Sequence, residues 1–224
     1  LQGSATLFVQ ANGGGTIDLS NLATLTHSGT RGIDFQSDGN DSTITLGALG
    51  GGIIDSVHVD AESGGSILWG APTQFTNSEL DLAGASTINT SQLTDIDGSS
   101  LFISAGATVS FPNLTTFTTV NANQNENLQS TGAGSLLSLA SLTTVNLQGN
   151  ATLFVQALNG GTIDLSALST LTFAGTRGID FQVYGANSSL DITALGTAGI
   201  DDVHLHSEGT PKRQQKQRQA DKIR

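Results

Sequence analysis

The chain has 224 residues, no cysteine, 12% charged residues and a formal net charge of −11. Without cysteine it has no disulfide, thiolate metal site or cysteine nucleophile. The acidic balance argues against a nucleic-acid partner, whose phosphates it would repel, and no segment has the ~20 consecutive apolar residues that a membrane-spanning helix needs.

Basic residues are concentrated in the last part of the chain. Six of the eight Lys and Arg residues lie from Lys212 onward, and the other two are Arg31 and Arg177. Only one of the 19 acidic residues, Asp221, lies in that last part, so residues 1–211 carry a charge of 2 − 18 = −16. We interpret 1–209 as a single repeat domain and 210–224, which has no apolar period, as a basic, disordered tail.

A template of four apolar residues recurs along the chain and begins with Ile17, Leu19, Leu22 and Leu25. The first two residues alternate with polar ones, which is typical of a strand with one inward face. The spacing of three that follows indicates a corner and a second short strand. Eight templates start 21 to 28 residues apart, at Ile17, Ile44, Ile67, Ile88, Val109, Leu137, Ile163 and Leu190. Repeats of this length are typical of solenoids.

A third alternating patch follows almost every template. Its predicted inward pairs are Ile33/Phe35, Val57/Val59, Leu80/Leu82, Leu101/Ile103, Leu153/Val155, Ile179/Phe181 and Val203/Leu205, whereas 120–128 is expected to be irregular. Three short strands per repeat, with no helical segment, predict an all-β parallel solenoid. Parallel β connections are almost always right-handed, so we predict a right-handed parallel β-helix. The eight templates correspond to about eight three-stranded coils.

A longer repeat is superimposed on the coils. Residues 5–36 match 151–182 without a gap and differ at only six positions, with an offset of 151 − 5 = 146 residues. This match indicates the duplication of a block of several coils. We therefore expect the chain to be part of a longer array.

The coils of the Thr-Ile-x-Leu-x-x-Leu-x-x-Leu type, over about residues 5–209, resemble β-helical repeat regions of large secreted or surface bacterial proteins of the adhesin and autotransporter-passenger kind. This resemblance implies an extracellular or cell-surface location and a role in adhesion, spacing or polysaccharide contact. The partners it implies are a polysaccharide or another surface protein.

Equivalent residues of a parallel solenoid stack ~4.8 Å apart, so outward residues form columns along the axis. The third strand of each coil predicts a binding column of Phe8, Asp34, His58, Asp81, Phe102, Phe154, Asp180 and His204. An Asp–His–Asp series on adjacent strands could orient a general base or bind zinc, and exposed Phe beside acids suits contact with sugars. Alternatively, the duplication copied ordinary cross-strand pairs. We assign this column to binding, with no catalytic residue, metal or cofactor.

A second candidate lies on the first strand of the coils, where Asp164 and Asp191 are expected to be neighbours. Two carboxylates at that spacing could share a proton or hold calcium. Asp beside a turn is also an ordinary solvated surface residue.

These observations predict a non-enzymatic, extracellular structural or adhesive segment of a larger repeat protein that contacts glycans. The alternative is a polysaccharide lyase or glycoside hydrolase on the same scaffold. The sequence has no cluster of Lys, Arg and Asp in a long loop, which favours the first interpretation.

Overall fold

The computed structural model describes residues 2–3, 6–22, 28–29, 32–47, 52–120, 125–150, 152–174, 178–196 and 203–208. These residues form an all-β parallel β-helix of about seven turns, which confirms the predicted fold class. The predicted tail, both body arginines and the last apolar position of the final template, Ile200, lie outside the described residues.

One sheet, which we call the long sheet, runs through the whole solenoid. It has nine strands in chain order, and each pairs in parallel with the corresponding strand of the next coil. The strands are Leu7–Asn12, Ile33–Asp38, Val57–Glu62, Glu79–Ala83, Ser100–Ser104, Glu126–Thr131, Leu153–Leu158, Ile179–Tyr184 and Val203–Glu208.

The first strands of the templates form two further four-stranded sheets. One contains Thr16–Leu19, Thr43–Leu46, Ser66–Trp69 and Thr87–Ile88; the other contains Thr108–Ser110, Leu136–Ser138, Thr162–Asp164 and Ser189–Asp191. Between them, Thr90 takes an inward template position and its hydroxyl donates to the carbonyl of Ser110. This buried threonine therefore joins the two sheets.

The second strands of the templates form smaller sheets. Thr116–Thr118, Thr144–Leu147 and Thr170–Phe173 make a three-stranded sheet, Ile53–Asp55 pairs with Gln74–Thr76, and Gln2–Gly3 pairs with Ser28–Gly29. A 3-10 helix covers Thr193–Leu195. Among the described residues, no helix has the length and apolar character needed to cross a membrane.

The inward side chains of the templates and of the long sheet form one continuous apolar core. Its largest fully buried side chains include Phe35, Phe75, Phe111, Phe117 and Phe181. Burial of a side chain of this size stabilises the fold by about 1.5–3 kcal/mol. The period-2 pattern of the sequence thus places these residues in the interior, as predicted.

Close approach of successive coils requires glycine where the long sheet turns into the next template. A Cβ added to Gly161 would lie 2.2 Å from the carbonyl oxygen of Ser130, and one added to Gly65 would lie 2.1 Å from that of Ser37. Both serines are fully buried on the inward face of the long sheet. The Gly-Gly pair before a template therefore lets one coil pack directly on the backbone of its neighbour.

The register of the long sheet differs from the predicted one in the middle coils. Leu80 is paired with Val59 and not with Val57. The inward position beside Val57 is taken by buried Ser78, whose hydroxyl accepts the Val57 N–H at 3.1 Å and donates to the carbonyl of Thr76 at 2.6 Å. A hydrogen-bonded serine thus stands where the pattern predicted an aliphatic residue, and the strand lies two residues away from its predicted position.

The coil predicted to be irregular contains a regular strand. Glu126–Thr131 pairs with Leu153–Leu158 over its full length, although 121–124 lie outside the described residues. Its first inward residue is Glu126, which is buried opposite Leu153. The apolar pattern did not predict this strand because an acid, Glu126, occupies an inward position that is usually apolar.

Candidate functional site

The outward side chains of the long sheet form three columns along the solenoid axis. One column, at the ends of the strands, includes Asp38, Glu62, Tyr184 and Glu208, and the other two contain the predicted site residues. The first of these two, which we call the histidine column, is made of two runs of paired residues, Phe8–Asp34–His58–Glu79–Ser100 and Asn127–Phe154–Asp180–His204. The second, which we call the amide column, is continuous over nine strands. It consists of Gln10, Gln36, Asp60, Asp81, Phe102, Gln129, Gln156, Gln182 and His206.

The structure confirms the predicted neighbours Phe8, Asp34 and His58, and their copies Phe154, Asp180 and His204. The placement of Asp81 and Phe102 in the same column is wrong. Both lie in the amide column, because the two-residue register difference pairs Asp81 with Asp60. Glu79 takes the position opposite His58 instead.

Four side chains from three adjacent strands meet around His58, and we call them the His58 cluster: Asp34, His58, Glu79 and Asp81. His58 Nε2 lies 2.8 Å from Asp81 Oδ2 and 3.7 Å from Glu79 Oε1, and His58 Nδ1 lies 3.3 Å from Asp34 Oδ1. The imidazole is 35% exposed. The cluster therefore lies at the surface of the sheet, with carboxylates on both sides of the imidazole ring.

The acids of the cluster change the protonation of the histidine. The hydrogen bond with Asp81 raises the pKa of His58 to about 9; partial burial opposes this shift, and the charges of Asp34, Asp81 and Glu79 support it. Burial, followed by the charge of Asp81, raises the pKa of Glu79. At neutral pH the cluster without a ligand thus holds an imidazolium among three acids.

A hydrogen-bonded series in the amide column ends at Asp60, which is the cross-strand neighbour of Asp81. Gln10 Nε2 donates to Gln36 Oε1 at 2.6 Å, and Gln36 Nε2 donates to Asp60 Oδ2 at 3.0 Å. Asp60 is only 7% exposed, and its Oδ1 has no hydrogen-bond partner among the described residues. Burial raises the pKa of Asp60, and the hydrogen bond from Gln36 partly offsets the shift.

The second copy of the block repeats only part of the cluster. Asp180 pairs with His204 as Asp34 pairs with His58. Asp180 Oδ2 accepts a hydrogen bond from Gln182 at 2.8 Å. No strand beyond Val203–Glu208 is among the described residues, so none of them takes the place of Glu79 or Asp81.

Three phenylalanines add apolar surface to these columns. Phe8 is 60% exposed on the first described strand of the sheet, and Phe102 and Phe154 are partly exposed on later strands. Phe154 has Asp180 as its neighbour, and Phe102 has Asp81. The outer face of the long sheet thus combines aromatic rings with carboxylates and amides.

The alternative carboxylate pair has a structural role in turns. Asp164 and Asp191 are neighbours, as predicted. However, Asp164 Oδ1 accepts the N–H of Ser166 at 3.0 Å, and Asp191 Oδ1 accepts that of Thr193 at 3.0 Å. Each side chain thus closes the corner that follows its own strand.

Sequence reasoning missed Glu79 and the role of Asp60. The missed signal is Ser78, a polar residue directly before Glu79 that takes an inward position.

Comparison with known proteins gives no matching family model, no matching characterised relative and no matching solved structure.

Proposed function

We propose that this chain is a non-enzymatic structural and adhesive β-solenoid segment of a longer extracellular or cell-surface protein, and that the outer face of its long sheet contacts glycans. The observation that carries the proposal is the amide column, which is continuous across nine strands, contains Phe102 and lies beside Phe8 and Phe154.

The chemistry of this face suits hydroxyl-rich ligands. Carboxylate and amide groups accept and donate hydrogen bonds to hydroxyls, and aromatic rings cover the apolar faces of sugar rings. The groups repeat at ~4.8 Å along a straight axis, so an extended polymer can make the same contact many times. Repeated weak contacts give high total avidity.

The charge of the face favours neutral over acidic glycans. Within the described part of the chain there is no Lys or Arg, whereas acids lie in both columns. The negative charge of these acids repels a uronate-containing polymer, and salt weakens the repulsion.

The geometry of the acids favours binding over cleavage. Glycosidases use two carboxyl groups on either side of the scissile bond, about 5–9.5 Å apart. In the His58 cluster the acids instead surround a histidine on a sheet face, and Asp81 already accepts its hydrogen bond.

The test is retention of the purified chain on immobilised neutral and uronate-containing polysaccharides, with new reducing ends measured in the same samples. We expect retention on a neutral polymer without new ends. Phe102→Ala and Phe154→Ala should each weaken retention roughly tenfold, the equivalent of about 1.4 kcal/mol for a lost aromatic contact. Leu68→Ala, at an exposed leucine outside the long sheet, is the matched control.

Two outcomes contradict this function. New reducing ends that disappear in Asp34→Asn would make the protein an enzyme. Equal retention of the Phe102, Phe154 and Leu68 variants would remove the long sheet as the contact face. Location is tested separately, by antibody labelling of intact and permeabilised source cells; labelling only after permeabilisation would contradict a surface role.

A further inference from the structure

We propose that the His58 cluster is a binding site for one divalent transition-metal ion of the Zn²⁺ class, held by His58 Nε2 and by one carboxylate oxygen each from Glu79 and Asp81. The site shares Asp81 with the amide column, but its test measures metal binding alone and does not depend on glycan contact. It also departs from the sequence-based expectation of no metal.

The three ligand atoms are already close together. They lie within 4.8 Å of one another, with Nε2 at 2.8 Å from Asp81 Oδ2 and 3.7 Å from Glu79 Oε1. Zn²⁺ binds nitrogen and oxygen at about 2.0–2.2 Å, so two ligands at a tetrahedral angle are ~3.4 Å apart. The observed separations lie on either side of this value. Release of the Nε2 proton of His58 to solvent, together with small side-chain rotations of Asp81 and Glu79, converts the hydrogen-bonded arrangement into a coordinating one.

Asp34 lies on the other side of the imidazole from the proposed ion. Its Oδ1 is 3.3 Å from His58 Nδ1, on the strand before His58, whereas Glu79 and Asp81 lie on the strand after it. The contact is an ion pair and not a hydrogen bond, because this oxygen has no hydrogen-bond partner among the described residues. Asp34 is a positioning residue, because its charge acts on the imidazole and it does not contact the ion.

The surrounding charge also favours a cation. Three acids face one histidine, and Asp60 adds a fourth acid beside Asp81. The buried Oδ1 of Asp60 has no hydrogen-bond partner among the described residues, which contain no Lys or Arg to balance these acids. These acids attract a bound dication at short range.

The set of ligand atoms selects the class of ion. Ca²⁺ and Mg²⁺ prefer sites built wholly of oxygen, whereas imidazole with carboxylates suits Zn²⁺ and its first-row neighbours. The side chains of His58, Glu79 and Asp81 are between one third and one half exposed. Water can therefore fill the remaining coordination positions.

The duplicated block provides an internal comparison. His204 repeats His58 and pairs with Asp180, but no described strand supplies the two acids on its other side. His206 lies close to His204, with ring centroids 6.5 Å apart, and two neighbouring histidines can bind metal weakly. Both are therefore removed in the protein used for the test.

The test is calorimetric titration of the His204→Ala/His206→Ala chain with Zn²⁺ after removal of metal by a chelator. We expect one equivalent to bind, and His58→Ala or Glu79→Gln in this background to weaken binding at least tenfold. Asp34→Asn should weaken binding by a smaller factor. Glu62→Gln removes the same charge from an exposed acid on the strand of His58, and should change the Kd less than twofold.

A second measurement identifies the ligand directly. Co²⁺ should shift and broaden the NMR signals of the His58 imidazole at one equivalent, and Glu79→Gln should abolish this effect. Circular dichroism and size-exclusion chromatography verify that each variant is folded. The proposal is overturned by the absence of binding in the folded parent, by undiminished binding in His58→Ala, or by equal losses in Glu79→Gln and Glu62→Gln.

Discussion

Asp81 contacts His58 diagonally across the long sheet. The residue paired with Asp81 on the neighbouring strand is Asp60, yet Asp81 Oδ2 lies 2.8 Å from His58 Nε2. The directly opposite residue, Glu79, is farther away at 3.7 Å. The shortest contact of the histidine is therefore with the diagonal residue Asp81 and not with its cross-strand pair Glu79.

This geometry predicts unequal effects of the two acids on the histidine. Asp81→Asn should lower the pKa of His58 more than Glu79→Gln does, because the hydrogen bond with Asp81 is the largest cause of the raised value. NMR titration of the imidazole in metal-free protein measures both shifts. An equal effect of the two variants would contradict the diagonal contact.

The raised pKa of His58 predicts that stability falls at alkaline pH. The folded-state pKa of about 9 lies above the ordinary 6.5, so protonated His58 stabilises the fold in full below pH 6.5, and this contribution is lost as the pH rises through 9. For a side chain about one-third exposed, solvent screening reduces the loss to about 1 kcal/mol. Urea unfolding with chelator at about pH 6 and 9.5 measures it. His58→Ala should lack this component.

The buried serines predict a cost for removing a hydroxyl from the interior. Ser99 Oγ donates to the carbonyl of Phe75 at 2.9 Å and accepts the N–H of Ser78 at 3.1 Å, and Ser99 is fully buried. Ser99→Ala leaves both backbone groups without this partner and should lower the free energy of unfolding by about 2 kcal/mol. Ser110→Ala, at an exposed serine, should change it by less than about 0.5 kcal/mol.

The close contact of coils predicts that Gly161 does not tolerate a methyl group. Gly161→Ala places Cβ against the carbonyl of Ser130, so the backbone of the neighbouring coil has to move. Gly84 has a φ of +68° but no atom within 4 Å of an added Cβ. Gly84→Ala should cost only the conformational strain of about 1–2 kcal/mol, and Gly161→Ala should cost more. A smaller loss for Gly161→Ala in thermal unfolding would contradict the contact.

The sequence predicted the coils well because their inward residues obey a simple period. Ile163 and Leu165, for example, are buried as their alternation predicts. The register of the middle strands was harder to predict, since Ser78 and Ser99 replace aliphatic residues and keep their inward positions through hydrogen bonds. A pattern of apolar residues carries no signal for such a substitution.

The candidate site was predicted in part for the same reason. Asp34 and His58 belong to strands with regular pairs of inward apolar residues. Counting residues from these pairs therefore predicts that Asp34 and His58 are neighbours. Glu79 and Asp81 belong to the strand that follows the buried serine, so counting placed Asp81 in the wrong column. The diagonal contact depends on side-chain length, which register alone does not describe.

The 146-residue duplication gives the solenoid a repeat unit of fixed length. Six steps of the long sheet separate Leu7–Asn12 from its copy Leu153–Leu158, so one block adds ~29 Å to the length at ~4.8 Å per step. The copied strands bring part of the same set of side chains to the same face: Phe154, Asp180 and His204 repeat Phe8, Asp34 and His58, whereas His206 stands where the first copy has Asp60. Gain or loss of a block of this size would thus change the length of the solenoid in fixed increments, and each increment would repeat the Phe–Asp–His order of the histidine column.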